Sequence, residues 1–271
     1  MTNRVTNEND KIEKMVMTAL MTALIAVVTI IIPIPVPFTN GYIHLGDSMI
    51  FLAVIMLGWK GGAVSAAVGS ALADLLLGFV YWAPWTFVIK GGMALVLGLI
   101  IYQGMKNRKR FPLVCLIIVA FWLLFNVAVQ AIIKYEHGRD ASALVEGAGV
   151  SHASELGDFL SQIQSWLMAG SLAVPLILIV VMVLISKSKK QILPLSQIIG
   201  MSGSGIFMVF GYYVAGGIIY GNFAVSAFSV PFNILQFVVG FVLATVISMG
   251  LAKTPLKSRM AFYSVNNSAN N

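Results

Sequence analysis

Asp74 and Lys90 lie inside long apolar runs, and His44 and Asp47 sit where one apolar run hands over to the next, within Gly41-Tyr-Ile-His-Leu-Gly-Asp47. Ionisable groups at membrane depth are expensive, so they mark a functional site and call for a partner. A buried pair between Asp74 and Lys90 is the economical arrangement, because either charge alone would be costly. Such a pair either ties two helices together or shares one member with a polar ligand. Asn233 and Gln236 stand three apart and so share a helix face, and Tyr212 and Tyr213 lie in the apolar run before them. Amides, phenols, a carboxylate and an ammonium in one place bind and orient a polar molecule by hydrogen bonds.

Other chemistries find no support. There is no Gly-x-x-x-x-Gly-Lys-Ser/Thr phosphate loop, so ATP hydrolysis by that route is excluded. Gly200-Met-Ser-Gly203 matches the short nucleophile motif of intramembrane proteases, but that chemistry needs a histidine in a later span. The three histidines, His44, His137 and His152, all come earlier. No metal-ligand spacing is present, and no cofactor is expected. The single cysteine, Cys115, lies in an apolar run and cannot form a disulfide within the chain.

The elements that position these groups are membrane spans. Of the 271 residues, 59% are hydrophobic and 10% charged, where soluble domains carry about 25% charged residues. One membrane domain over 1–271 is expected, with no stretch polar enough for a second, soluble one. Apolar runs at 15–32, 45–59, 62–80, 85–103, 111–133, 164–186, 196–219 and 230–252 predict eight spans. The second is short, and is expected to be a short helix capped by the segment before it. The polar start, Met1 to Lys14, and the lack of a small-residue cleavage site make the first run a retained helix.

The net charge of +7 sits in short basic clusters between spans, which is a positive-inside pattern and not a nucleic-acid face. Of the 17 lysines and arginines, all but Lys90, Lys134 and Arg139 fall on one side if both termini are cytoplasmic. Glu136, Asp140, Glu146, Glu155 and Asp158 collect in the outer loop 134–163. Pro33, Pro35 and Pro37 stiffen the first outer connection into an extended segment, either a lid or a connector.

With that orientation Asp74 and Lys90 both lie roughly 8–9 Å below the outer surface. Asn233, Gln236, Tyr212, His44 and Asp47 fall in the same layer, which predicts a pocket open to the outside. Tyr81, Trp82 and Trp85 read as an interfacial aromatic belt, and Asn126 with Gln130 as interhelical glue. In the inner half, Ala63, Ala67, Gly69, Ser70 and Ala73 let helices approach closely, while Ala19 and Ala23 form a small-x-x-x-small face for this chain or for another membrane protein.

Read together, Gly41-Tyr-Ile-His-Leu-Gly-Asp47, Gly69-Ser-Ala-Leu-Ala-Asp74, Ala83-Pro-Trp-Thr-Phe-Val-Ile-Lys-Gly91, Gly211-Tyr-Tyr213 and Pro231-Phe-Asn-Ile-Leu-Gln236 resemble the substrate-binding (S) components of energy-coupling-factor transporters, in their riboflavin-type branch. The resemblance covers 15–105 and 198–252. It implies an all-α polytopic bundle with a six-helix core, to which 106–197 would add a pair of spans. It also implies a non-enzymatic subunit of a prokaryotic plasma membrane that captures a vitamin or vitamin precursor from outside. A transmembrane coupling (T) subunit, docked on Ala19 and Ala23, and two cytosolic ATPases would energise delivery, so ATP is used by the partners. The substrate could be riboflavin or a smaller pyridoxine- or hydroxymethylpyrimidine-like ring. A stand-alone ion-coupled carrier built on Asp74 is the alternative, and a membrane scaffold would not need the outer polar layer. No internal repeat or central helix break, usual in such carriers, is evident.

Overall fold

In lipid every backbone N–H and C=O must be satisfied within the chain, so long apolar segments become helices. The computed structural model describes residues 2–36, 41–106, 110–139, 142–148, 153–187, 195–256 and 260–261. In chain order these form α1 (Thr2–Ile31), β1 (Ile34–Val36), β2 (Gly41–Ile43), α2 (Gly46–Leu76), α3 (Ala83–Lys106), α4 (Phe111–Arg139), α5 (Ser142–Ala148), α6 (Ala153–Lys187), α7 (Leu195–Ile219), α8 (Phe223–Ser226), a 3₁₀ turn at Ala227–Ser229, and α9 (Val230–Leu251). Among the described residues six helices are long and apolar enough to cross a membrane, in keeping with the expected all-α polytopic bundle. Pro37, Arg108, Lys109, Asp140, His152, Lys189, Lys190, Lys257 and Arg259 lie outside the described residues.

The expected spans 45–59 and 62–80 are two arms of α2. Gly58 breaks the helix with φ 77° and ψ −179°, a conformation that suits glycine because it lacks a Cβ. A methyl group added at Gly62 would meet Val54 Cα at 2.7 Å, whereas residues eight apart in a straight helix are separated by about 12 Å. The chain therefore doubles back at Gly58. The first arm, 46–57, is about 18 Å long, too short for a hydrocarbon core of about 30 Å. Its partner arm ends at Leu76 rather than 80, in a turn where the Phe79 N–H donates to the Asp74 carbonyl at 2.8 Å.

The proline-rich connection is extended, and it is also paired. β1 and β2 form an antiparallel hairpin with Ile34 opposite Ile43, Pro35 opposite Tyr42 and Val36 opposite Gly41. Pro35 lacks an N–H, which a two-stranded ribbon with two open edges tolerates. Residues 134–163 are less of a loop than expected, because α4 runs on to Arg139, α5 occupies Ser142–Ala148 and α6 begins at Ala153.

α2, α3, α7 and α9 form the centre, around Ile50, Phe51, Met93, Leu97, Met208 and Phe237. α1 packs chiefly on α2. The small residues of the second α2 arm allow that approach: a methyl at Gly69 would meet the Thr22 carbonyl oxygen at 2.6 Å, and the Ser65 hydroxyl donates to the Thr18 carbonyl at 3.0 Å. α4 and α6 flank α7 and α9, burying Trp122, Phe125, Leu160 and Leu167. Asn126 does not glue helices together. Its Nδ2 donates to the Trp122 carbonyl of its own helix at 2.9 Å, where a polar side chain in an apolar setting finds the nearest acceptor.

Candidate functional site

The doubling-back of α2 brings both its ends to one level of the bundle. Asp47, in its first turn, and Asp74, near its last, would be about 40 Å apart in a straight helix. Here they belong to one polar cluster with residues of β2, α3, α7 and α9.

Lys90 of α3 is fully buried and paired with Asp47, not with Asp74 as the spacing predicts. The counting of helical rise places Asp74 and Lys90 at similar depth but cannot show that the first arm delivers another carboxylate to the same spot. The second Asp47 oxygen, Oδ2, accepts from Gln236 Nε2 at 2.9 Å, and Gln236 Oε1 accepts from the backbone N–H of His44 at 3.0 Å. The Lys90 ammonium also lies 5.2 Å from the centre of the Tyr212 ring, a favourable cation–π placement. A buried ion pair is costly unless its remaining polar groups find partners; Gln236 meets the second carboxylate oxygen and the Tyr212 ring faces the ammonium.

His44 Nδ1 accepts from the Gly46 N–H at 3.0 Å and faces the Thr29 hydroxyl at 3.5 Å. That bond keeps Nδ1 unprotonated and leaves Nε2 to carry the ring proton. Burial, reinforced by the Lys90 charge and opposed by Asp47, lowers the His44 pKa from 6.5 to about 3, so the imidazole is neutral.

Asp74 is held differently. Its Oδ1 accepts from the Tyr42 hydroxyl at 2.6 Å, and burial beside this carboxylate drives the Tyr42 phenol well above its ordinary range. Tyr42 stacks on Phe79 with ring centres 4.6 Å apart. Across the space, the Thr86 and Tyr212 hydroxyls are 3.1 Å apart, and Trp82 lies against Tyr212 and Tyr220 at 5.9 and 6.2 Å.

These side chains enclose a cavity of about 40 Å³, lined by Val36, Gly41, Tyr42, His44, Asp74, Trp82, Thr86, Tyr212, Tyr220, Ser229, Asn233 and Gln236. Of the residues singled out in the sequence, His44, Asp74, Tyr212, Asn233 and Gln236 line it. Asp47 and Lys90 stand behind this wall and do not line it. Tyr213 turns away, toward Phe125 and Phe223. Tyr42, Thr86, Trp82 and Tyr220 are lining residues that the sequence reading did not select. Trp82 has the sequence signature of an interfacial belt, while Tyr42 and Thr86 carry a signal as parts of the Gly41–Asp47 and Ala83–Gly91 motifs.

Ser202 is buried, and its hydroxyl donates to the Ile198 carbonyl at 2.7 Å, spent on its own helix rather than held by a base. Among the described residues no three of histidine, cysteine, aspartate and glutamate come together as a metal ligand set. The alanines of α1 lie elsewhere: Ala19 and Ala23 are exposed. Ala19 borders a groove of about 960 Å³ between α1 and the Gly58 turn, with Lys14, Thr18, Trp59 and Lys60.

Comparison with known proteins agrees with this architecture. Over 159 residues the chain is 26% identical to the thiamine precursor transporter HmpT of Lactococcus lactis subsp. cremoris (strain MG1363), covering 53% of this chain and 93% of that protein. It is 42% identical over 64 residues to a Pyrococcus woesei protein described as an uncharacterized protein in gap 3'region, covering 24% of this chain. The chain thus spans 43% of the length of that relative. No solved structure gives a significant match. The sequence profile of one family, described as ECF-type riboflavin transporter, S component, matches residues 9–141 and 137–253. A multi-pass helical membrane protein with a polar cavity at one level of its bundle, and not an enzyme, the chain belongs to the family of ECF-type S components.

Proposed function

We propose that the chain captures a small, single-ring vitamin or vitamin precursor from the outer side, in the cavity between the β hairpin, α2, α3, α7 and α9. The observation that carries this reading is the convergence of Tyr42, His44, Asp74, Tyr212, Asn233 and Gln236 on one enclosed space in an otherwise apolar bundle. Binding sites of this kind combine aromatic walls with a few placed polar groups. Asn233, Gln236, Asp74, Tyr212 and His44 would touch the ligand or its lid, and Lys90 and Asp47 would hold the wall in place. The cavity is small, about 40 Å³, which favours a single ring over a three-ring flavin. The likeness to a thiamine precursor transporter points the same way.

Delivery inward would follow docking on a transmembrane coupling subunit served by two ATPases. Ala19 and Ala23, on the exposed side of α1, are the docking residues in this reading, with both termini cytoplasmic. The α4–α6 block, read as an addition to a six-helix core, packs on α7–α9. It therefore sits away from α1, and the docking face is left clear.

Mass spectrometry of small molecules released from the purified, denatured chain tests the reading. One vitamin-sized compound at near-stoichiometric amount is expected. Release of nothing, with no stabilisation by a panel of added vitamins, would overturn it.

A further inference from the structure

Two of the cavity residues, Ser229 and Asn233, stand one helical turn apart where the 3₁₀ turn passes into α9. Each is preceded by a phenylalanine, and Phe228 and Phe232 are also one turn apart, so they form a neighbouring stripe on the same segment. That stripe is gripped by α6. Phe228 is fully buried and meets Phe159 of α6 edge to face, with ring centres 4.9 Å apart and planes at 87°. Phe232 meets Trp166 of α6 in the same way, at 5.9 Å and 90°. Aromatic pairs favour this arrangement. Phe159 and Trp166 are seven residues apart, about two turns, so one face of α6 carries both rings. Neighbouring contacts are close as well: a methyl added at Gly170 of α6 would meet Ile234 Cδ1 at 3.0 Å, and one at Gly147 of α5 would meet Val225 at 2.7 Å. The α5–α6 block thus packs behind the segment whose other side lines the cavity, and neither α6 ring is among the described residues that line it.

We propose that Phe159 and Trp166 are positioning residues of the substrate cavity, which fix through Phe228 and Phe232 where Ser229 and Asn233 meet the bound molecule. A hydrogen bond weakens steeply once its distance or angle is lost, so a binding group is only as good as the packing that holds it from behind. Ser229 and Asn233 sit at the start of α9, where the chain has just turned out of α8. The two ring pairs supply the support there, one beside each cavity residue. α6 therefore takes part in binding without touching the ligand. The inference rests on the cavity being the substrate site, and it adds which residues outside that cavity set its affinity.

The test uses the purified full-length chain, with hydroxymethylpyrimidine, pyridoxine and riboflavin as probes. In the ligand-free chain Trp166→Ala should speed amide hydrogen exchange across 222–236 severalfold and leave 46–57 at the wild-type rate, because exchange reports local opening. Trp166→Phe keeps a ring against Phe232 and should restore slow exchange. Leu172→Ala, 67% exposed on the same helix, should change nothing. For each probe that binds the wild type, Trp166→Ala should weaken equilibrium binding by about threefold to tenfold, up to the scale of one lost hydrogen bond. In an Asn233→Ala background the same change should cost less than about twofold, because a residue that acts through another is not additive with it. Should Trp166→Ala fail to fold, Phe159→Leu makes the same comparison against Ser229→Ala. Unchanged exchange, unchanged affinity, or an equal loss of affinity with and without Asn233 would overturn the inference and leave the substrate site intact. Binding of none of the three probes by the wild type would overturn both.

Discussion

Asp47 of α2 and Lys90 of α3 form an ion pair in which neither side chain is exposed at all, and its partner groups come from two further elements: Gln236 of α9 on the carboxylate and the Tyr212 ring of α7 over the ammonium. Removing one member leaves the other buried and unpaired, which typically costs 3–5 kcal/mol. Lys90→Met should therefore lower stability by about that amount, read as a large drop in thermal midpoint in detergent. The double change Asp47→Asn with Lys90→Met should recover most of the loss. If the single and double variants are equally unstable, the pair is not what holds these helices.

Asn233 and Gln236 share a face of α9 but should respond differently to substitution. Gln236 bonds both the His44 backbone and Asp47, so Gln236→Leu should weaken ligand binding and folded stability together. Asn233 lines the cavity and is only half-buried. Asn233→Ala should weaken binding by roughly fivefold to tenfold, the scale of one lost hydrogen bond, with the thermal midpoint of the ligand-free chain nearly unchanged. Unaltered affinity would remove Asn233 from the site.

His44 gives stability a pH dependence whose sign follows from its neutral state. Its pKa in the folded chain is lowered to about 3 from 6.5, so between those values the unfolded chain binds the extra proton. Stability is fully present above pH 6.5 and is lost as pH falls toward 3. By pH 4.5 the loss should be about 1–3 kcal/mol, seen as a falling thermal midpoint. His44→Gln should flatten that part of the profile. A wild-type midpoint that stays level from pH 7 to 4.5 would contradict the buried, neutral imidazole.

Gly58 sets the geometry on which the cluster depends. At φ 77° and ψ −179° an alanine is strained, at a cost of order 1–3 kcal/mol, although a methyl there would make only an ordinary contact with Ala261 at 3.5 Å. Gly58→Ala should lower stability by that strain alone, measured by thermal unfolding. A neutral outcome would mean that the turn can be made with a different backbone.

Much of the polar layer is legible from counting. Asp74, Lys90, Asn233, Gln236 and Tyr212 fall at one depth because a helix rises by a fixed amount per residue. The pairing within that layer is not legible in this way. Asp47 reaches Lys90 because the chain doubles back at Gly58, and that reversal leaves only a faint trace, Gly58, Gly61 and Gly62 in an apolar stretch. Trp82 and Tyr42 were missed for a different reason. An aromatic ring at the membrane interface has the same sequence signature whether it faces lipid or a cavity, and only tertiary packing decides. The β hairpin is similarly hidden, since alternating prolines predict extension but not a partner strand.

The docking face proposed above lies away from the cavity, so docking should separate from binding. Ala19 and Ala23 are exposed on α1, one turn apart, where small side chains let another helix approach within van der Waals range. Ala23→Phe fills that approach with an apolar ring that lipid tolerates, so folding should be undisturbed. Ligand affinity of the isolated chain should stay within about twofold, because sites with no shared partners act nearly independently. Co-purification with the coupling subunit, and uptake in cells that hold the whole transporter, should fall sharply. Loss of ligand binding in the isolated variant would mean that α1 supports the cavity itself. Full uptake with the variant would move the docking face away from Ala23.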